Sequence, residues 1–360
     1  MRIRYLLPSC LLILANMLFS LHAEQHLFPP YHLLRPLLTF WLVLGILAMI
    51  VKRFVADWMK VEESLVVIVL LFALSPIFFW VTVRLLALVY VSWQIYSRLP
   101  ALRSRKTSRL PLLLIGNALL VVYSIGLNLS EYRNVTWSSY FSSLRNLRNS
   151  NASLPLNANG LKPDIYYIIL DGYVRSDVLK DLYDYDNSEF VNNLEMEGFF
   201  VAQQSHSNYA KTILSVPSTL NMDYVDTFAP GLDDSKFWWL MEPFIDHSEV
   251  RTLLKSQGYQ TVSFSTNWSL TDMNSADIHL AAFPVELTDF EQYLLQTTPL
   301  RLSQPFLQDS ASVFTSETQR RTILHTLGAL DDFVSDPDPV FVFAHILLPH
   351  PPFVLDAEGK

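Results

Sequence analysis

The first 127 residues alternate long apolar runs with short charged breaks, and the pattern then changes character. Apolar runs extend from Leu6 to Phe19, Leu33 to Val51, Leu65 to Val83, Leu85 to Trp93 and Leu110 to Leu127. A helix that crosses the hydrocarbon core of a bilayer needs roughly 20 such residues. The stretch from Leu65 to Trp93 is too long for one upright helix, and Ser75-Pro76 or Arg84 marks where a tight helical hairpin reverses. From Pro163 onward, period-2 and continuous apolar stretches alternate with helical periodicity. Strands are predicted from Ile165 to Leu170, Phe199 to Ala202, Gln260 to Phe264 and Val340 to His345. Helices are predicted from Ser188 to Met196, Ser248 to Ser256 and Glu317 to Val334. This order implies an α/β domain with a doubly wound, mainly parallel sheet, in which the run from Ile165 to Leu170 is a buried central strand.

Charge divides the chain at the same place. Residues 1–159 hold 15 Lys/Arg and 5 Asp/Glu, whereas residues 160–360 hold 11 and 29. The net charges are therefore +10 and −18, the split of a membrane anchor with cytoplasmic basic loops joined to an acidic soluble domain. Arg2 and Arg4, then Lys52, Arg53 and Lys60, then Arg98, Arg103, Arg105, Lys106 and Arg109 form three basic clusters. Placing all three in the cytoplasm requires the segment between the last two to cross twice. Residues 1–130 then form an anchor of about five helices in the inner membrane, with the acidic domain outside; a four-span reading breaks the charge rule once. The first run also has the form of a signal peptide ending at Ser20-Leu21-His22-Ala23, and cleavage there leaves the domain on the same side. The single cysteine, Cys10, lies in that run and allows no intramolecular disulfide. An acidic domain lacks the clustered cations that neutralise phosphates, so nucleic acid is not an expected partner.

Residues 131–162 are rich in Asn and Ser, as a solvated linker is. Within them Trp137, Tyr140, Phe141, Leu144 and Leu147 fall at helical spacing beside Arg133, Arg145 and Arg148. The segment is either a short helix lying on the membrane surface or a partly ordered linker.

Three elements carry candidate chemistry. Asp171 follows the first strand directly and precedes Gly172, at the strand end where α/β sheets build their sites. Its position alone suits a metal ligand or a helix cap equally. Thr212 opens a predicted helix within Asn208-Tyr209-Ala210-Lys211-Thr212-Ile213-Leu214-Ser215-Val216-Pro217-Ser218. A hydroxyl there gains from the helix macrodipole, which favours an alkoxide and an incoming oxyanion, although Thr and Ser at helix starts commonly only cap. His345 and His350 lie in Ala344-His345-Ile346-Leu347-Leu348-Pro349-His350-Pro351-Pro352-Phe353, after the last strand, and are candidates for an anionic ester or a metal.

The order Ile169-Leu170-Asp171-Gly172, then Thr212-x-x-Ser215-Val216-Pro217, then His350-Pro351-Pro352 resembles the alkaline phosphatase/sulfatase superfamily. It is most similar to the membrane-anchored branch that contains phosphoethanolamine transferases and lipoteichoic acid synthases. The resemblance implies an alkaline-phosphatase-like domain over residues 163–360. In it Asp171 and Thr212 bind a catalytic divalent metal (zinc, manganese, magnesium or calcium), and Thr212 is the nucleophile that becomes covalently phosphorylated. It further implies that His350 contacts the substrate phosphate, with His345, Asn208 and Ser215 beside it. The substrate class is a phosphate or sulfate ester of the envelope, lipid-linked or on a glycan. Sulfatases carry Cys/Ser-x-Pro-x-Arg, whereas Thr219 stands in the Arg position here. Their remaining metal ligands come from an Asp-His-Gly segment after the His-x-Pro motif. Asp246-His247 is the one Asp-His pair of the sequence, and it comes too early, at a predicted helix start. The expectation is thus the N-terminal portion of such a domain, truncated before its Asp-His ligands; the competing expectation is a non-catalytic binding module.

Overall fold

The computed structural model describes residues 7–23, 27–54, 110–133, 135–149, 162–233, 235–297, 299–307, 309–313, 315–333, 338–356 and 359. In chain order the main elements begin with the helices α1 (Leu7–Ala23), α2 (Leu34–Phe54), α3 (Leu110–Tyr132) and α4 (Trp137–Asn149). Strand β1 (Ile165–Leu170) follows, then α5 (Ser176–Tyr183), α6 (Ser188–Met196), α7 (Thr212–Leu220), α8 (Glu242–Asp246) and α9 (Glu249–Ser256). The chain continues through β2 (Gln260–Phe264), β3 (Ile278–Leu280), α10 (Asp289–Thr297), α11 (Ser316–Ala329) and β4 (Val340–Ile346). The chain separates into two compact units, one from residues 1–136 with 287–313 and the other from residues 137–286 with 314–360.

In the first unit α1 packs against α2 and α3, and Ile13, Met17, Leu21, Leu44 and Ala48 share one apolar cluster with Phe290 and Leu294 of α10. The Phe28 ring lies 5.6 Å from Phe290 and 5.5 Å from Tyr293. Arg35 forms an ion pair with Glu291. Helix α10 starts in a capping box, a signal the periodicity did not register. The Thr288 hydroxyl accepts from Glu291 N at 3.3 Å, and Glu291 accepts from Thr288 N at 2.9 Å. The stretch Pro30–Ile50 is long and apolar enough to cross a membrane, the one such helix among the described residues. Its outward positions include exposed Leu38, Leu42, Ile46, Met49 and Ile50. The expected hairpin from Leu65 to Trp93 and the basic cluster from Arg98 to Arg109 lie outside the described residues.

The second unit is an α/β structure. Its four parallel strands run in the order β1-β4-β2-β3. Successive side chains of a strand point to opposite faces. Phe341 and Phe343 of β4 therefore join Val216 and Leu220 of α7, Ile245 of α8 and Leu254 of α9 on one face. Val340, Val342, Ala344 and Ile346 join Ile323 and Ala329 of α11 on the other. All seven β4 residues are buried, and β4 is an interior strand with a partner on each side. The central position expected for β1 is corrected here: β1 pairs with β4 and lies at the edge of the sheet that the described residues form, with Ile168 44% exposed. An apolar run marks a strand with a covered face but does not reveal its rank in the sheet. The strand expected from Phe199 to Ala202 is likewise absent. That stretch carries no regular structure and leaves Phe200 91% exposed.

Helix α4 forms where the aromatic periodicity placed it, and it packs against α8 with Tyr140 and Leu147 buried and Phe141 exposed. Its apolar face is thus largely spent on protein contacts. The end of α7 is fixed by Asn221, whose amide donates to Phe244 O and Pro217 O, both at 2.7 Å, and whose oxygen accepts from Glu249 N at 3.1 Å. One side chain thereby ties α7, α8 and α9 together beneath the sheet.

Candidate active site

Pleat parity brings the candidate residues to one place. Residues 165, 167 and 169 of β1 and 341 and 343 of β4 face the α7 side, so Asp171 and His345, two steps further along each strand, face it too. Asp171 N extends the ladder by donating to Ile346 O at 2.9 Å. The chain then turns sharply, with Tyr173 N donating to Leu170 O at 3.1 Å and Gly172 at φ +85°. This left-handed geometry favours glycine, and a Cβ at residue 172 would also meet His350 N at 3.3 Å. The strand-end turn and the His350 loop are in close contact for that reason.

Thr212 is the first residue of α7, and Lys211 occupies the capping position without a side-chain cap bond. The Thr212 hydroxyl lies near enough to Asp171 to help lower its pKa, as the smallest of the contributions. Asp171 does not cap the following helix either, because α5 begins only at Ser176, after Arg175. Both groups are thus free of the capping duties their positions allow. The His345 hydrogen bond holds the Asp171 carboxyl below the usual carboxylate range against its partial burial, and the charges of His345 and His350 and the nearby Thr212 hydroxyl act in the same direction. An ionised carboxylate is therefore the state to expect near neutral pH.

The other candidates are distributed around this pair. His350 is exposed, and its Nδ1 donates to Pro351 O at 2.7 Å, leaving Nε2 to face outward chemistry. The His345 side chain is fully buried, with Nε2 3.3 Å from Asp171 Oδ2 and Nδ1 2.9 Å from Thr271 Oγ1. Asn208 donates to Ser218 Oγ at 2.8 Å, and Ser218 in turn donates to Asp223 O at 2.6 Å, which pins the loop before Thr212 to the body of α7. Ser215 is half-buried one turn after Thr212. Asp246-His247 serves structure: Asp246 ends α8 and accepts from Ser275 N at 2.8 Å.

Two residues were invisible to sequence reasoning. Arg175 binds Asp177 at 2.7 and 3.0 Å, donates to Ser205 O at 3.1 Å and lies 3.0 Å from His206 Nε2. It thereby joins the loop after Asp171 to the loop before Thr212. Thr271 sits in a single 3₁₀ turn whose contact with His345 spans 74 residues. No local pattern announces either. Next to the turn a cleft of about 240 Å³ opens between Tyr173, Arg175, Phe190, Val191, Leu194 and Val201.

Asp171 and Thr212, the two expected metal ligands, each carry a side-chain oxygen at this strand end. Among the described residues no group of three His, Cys, Asp or Glu side chains converges to hold one. Two donors fall short of the roughly four that a closed tetrahedral site uses. The described residues alone therefore do not make up a metal centre. No protein-family model, curated protein or solved structure matches the chain.

Proposed function

We propose that the second unit is a sulfatase-like catalytic domain of the alkaline phosphatase superfamily, which transfers or hydrolyses phosphoryl or sulfuryl esters through Thr212. The observation that carries the reading is the convergence of two residues: Asp171 at the strand end, engaged by His345, and Thr212 at the first position of α7 beside it. Thr212 Oγ bonds to phosphorus or sulfur as the ester bond to the alcohol breaks, and the hydroxyl proton passes to Asp171. A carboxylate with a lowered pKa is a weak base, so proton transfer accompanies bond formation rather than preceding it. The positive end of α7 and exposed His350 stabilise the oxyanion, and the aromatic-walled cleft beside Tyr173 gives room for the alcohol portion. The departing alkoxide takes a proton from water, and water or a second alcohol, giving its proton to solvent, then displaces Thr212 Oγ, which recovers its own from Asp171. A divalent cation is part of the family expectation, with Asp171 and Thr212 as this chain's donors. In the same reading residues 1–130 form a multi-pass inner-membrane anchor that keeps the domain on the extracytoplasmic side, facing lipid-linked or glycan esters.

The test is covalent trapping. The full chain, in membranes, is incubated with an aryl phosphate, quenched in acid and digested, and a phosphorylated Thr212 peptide is sought by mass spectrometry. Its absence, or its persistence on another residue in Thr212→Ala, sinks the nucleophile assignment. A second reading, a non-catalytic module that binds anionic esters in the same crevice, is favoured by the lack of a third converging metal-ligating side chain among the described residues. Saturable binding of the aryl phosphate without a phosphopeptide would establish it.

A further inference from the structure

His345 stands in the His-rich motif but is shut away from any ligand. Its side chain has no exposed surface, whereas Asp171 keeps 17% of its side chain exposed. A buried imidazole satisfies both ring nitrogens, and here the partners are Thr271 Oγ1 at 2.9 Å and Asp171 Oδ2 at 3.3 Å. Facing an ionised carboxylate, Nε2 carries the proton and donates, and Nδ1 accepts from the Thr271 hydroxyl. Thr271 is itself held from behind. Its N–H closes the turn by donating to Trp268 O at 3.2 Å, and the adjacent Asp272 accepts from Thr266 N at 2.9 Å and Thr266 Oγ1 at 2.6 Å. The imidazole is therefore wedged between a rigid loop and the strand-end carboxylate.

We propose that His345, oriented by Thr271, is a positioning residue that fixes the rotamer of Asp171, so that one carboxylate oxygen is engaged from behind and the other is presented to Thr212. This rests on the proposed catalytic role of Asp171 and Thr212. Orienting partners one layer behind a functional ligand typically matter by 10–100-fold. His345 touches no substrate in this arrangement, so its loss acts on kcat and leaves KM alone. The glutamine amide reaches where Nε2–H does and can donate to Asp171, whereas leucine fills the space without a donor.

The experiment uses the full chain in membranes or detergent. With an aryl phosphate, His345→Leu lowers kcat by about 10–100-fold with KM within about twofold, Thr271→Val shifts kcat the same way by less, and His345→Gln recovers most of the loss. A rise in KM at unchanged kcat makes His345 a substrate contact and overturns the proposal, as does His345→Gln behaving like His345→Leu. A readout independent of turnover is ¹⁵N NMR of the histidine rings. The His345 ring shows a protonated Nε2 whose signal moves in Asp171→Asn, and an unprotonated Nδ1 whose signal moves in Thr271→Val. An Nδ1–H tautomer in the wild-type chain also overturns the proposal. Wild-type chain that turns over no aryl phosphate defeats the catalytic reading by itself, and the NMR result then decides the positioning role separately.

Discussion

Asp171 and Asp272 both follow strands of the same parallel sheet, and both have a threonine hydroxyl beside them, yet their surroundings drive them in opposite directions. Asp171 keeps part of its surface in water and is held below the ordinary carboxylate range by His345. Asp272 is wholly enclosed, and burial pushes its pKa up to about 7 although Thr266 N and Oγ1 both donate to it. Desolvation disfavours the charged form, and two neutral donors do not offset it. A carboxylate that stays charged and reachable suits chemistry, and one that is sealed and partly neutral suits loop architecture. The contrast separates a candidate site residue from a structural one of the same type and similar address.

Four measurements break or sharpen this contrast. The largest effect is expected for Asp171→Asn, which lowers aryl-phosphate turnover by about 10²–10⁴-fold while the thermal midpoint stays close to wild type. Equal activity in that variant would erase the distinction. Next, Asp272→Ala leaves the buried Thr266 N–H without its acceptor, the hydroxyl keeping only Trp268 O, and costs about 1–3 kcal/mol in denaturant unfolding. Third, the folded state holds a proton on Asp272 that the unfolded chain gives up at ordinary carboxylate pH. Stability of the second unit therefore declines as pH rises from about 4 toward about 7. His279, whose pKa is raised by Glu286 and Asp272 despite its burial, adds a loss of the same sign above that window. Glu286 and Asp171, both lowered, act oppositely and only as pH falls through the acid range. Asp272→Asn flattens the slope, measured as unfolding free energy against pH; an unchanged slope would show that Asp272 is ionised throughout. The smallest effect belongs to Gly172→Ala, about 1–2 kcal/mol from its left-handed φ. It is accompanied by a modest loss of turnover as the His350 backbone is pushed outward.

The same contrast explains what the sequence disclosed. Asp171 was legible because it abuts an apolar run, and Thr212 because a hydroxyl precedes a helical pattern; each signal is local. The helices Ser188–Met196 and Glu249–Ser256 and the strand Gln260–Phe264 were legible for the same reason, since their periodicity is written in consecutive residues. Strand rank was not legible. Ile165–Leu170 and Val340–Ile346 are both apolar runs, and only the pairing order shows that the second is enclosed and the first lies at the edge. Phe199 and Phe200 carry high strand propensity yet find no neighbouring strand, so tertiary context overrode them. The Thr271–His345–Asp171 chain links residues up to 174 positions apart and depends on parity in two strands at once. Thr288-x-x-Glu291 was a readable signature of α10, masked by the expectation that the region belonged wholly to the acidic domain.

The order β1-β4-β2-β3 also fixes a sequence of events during synthesis. β1 emerges early, but its partner β4 is made roughly 170 residues later, after β2 and β3. Until Val340–Ile346 inserts between β1 and β2, β1 has no strand to bond among the described residues, and Asp171 has neither the Ile346 carbonyl nor the His345 ring to hold it. Closing so long a loop is entropically slow. A ribosome that stalls before residue 340 therefore exposes an unpaired apolar strand, and holdase chaperones should be needed most in that interval.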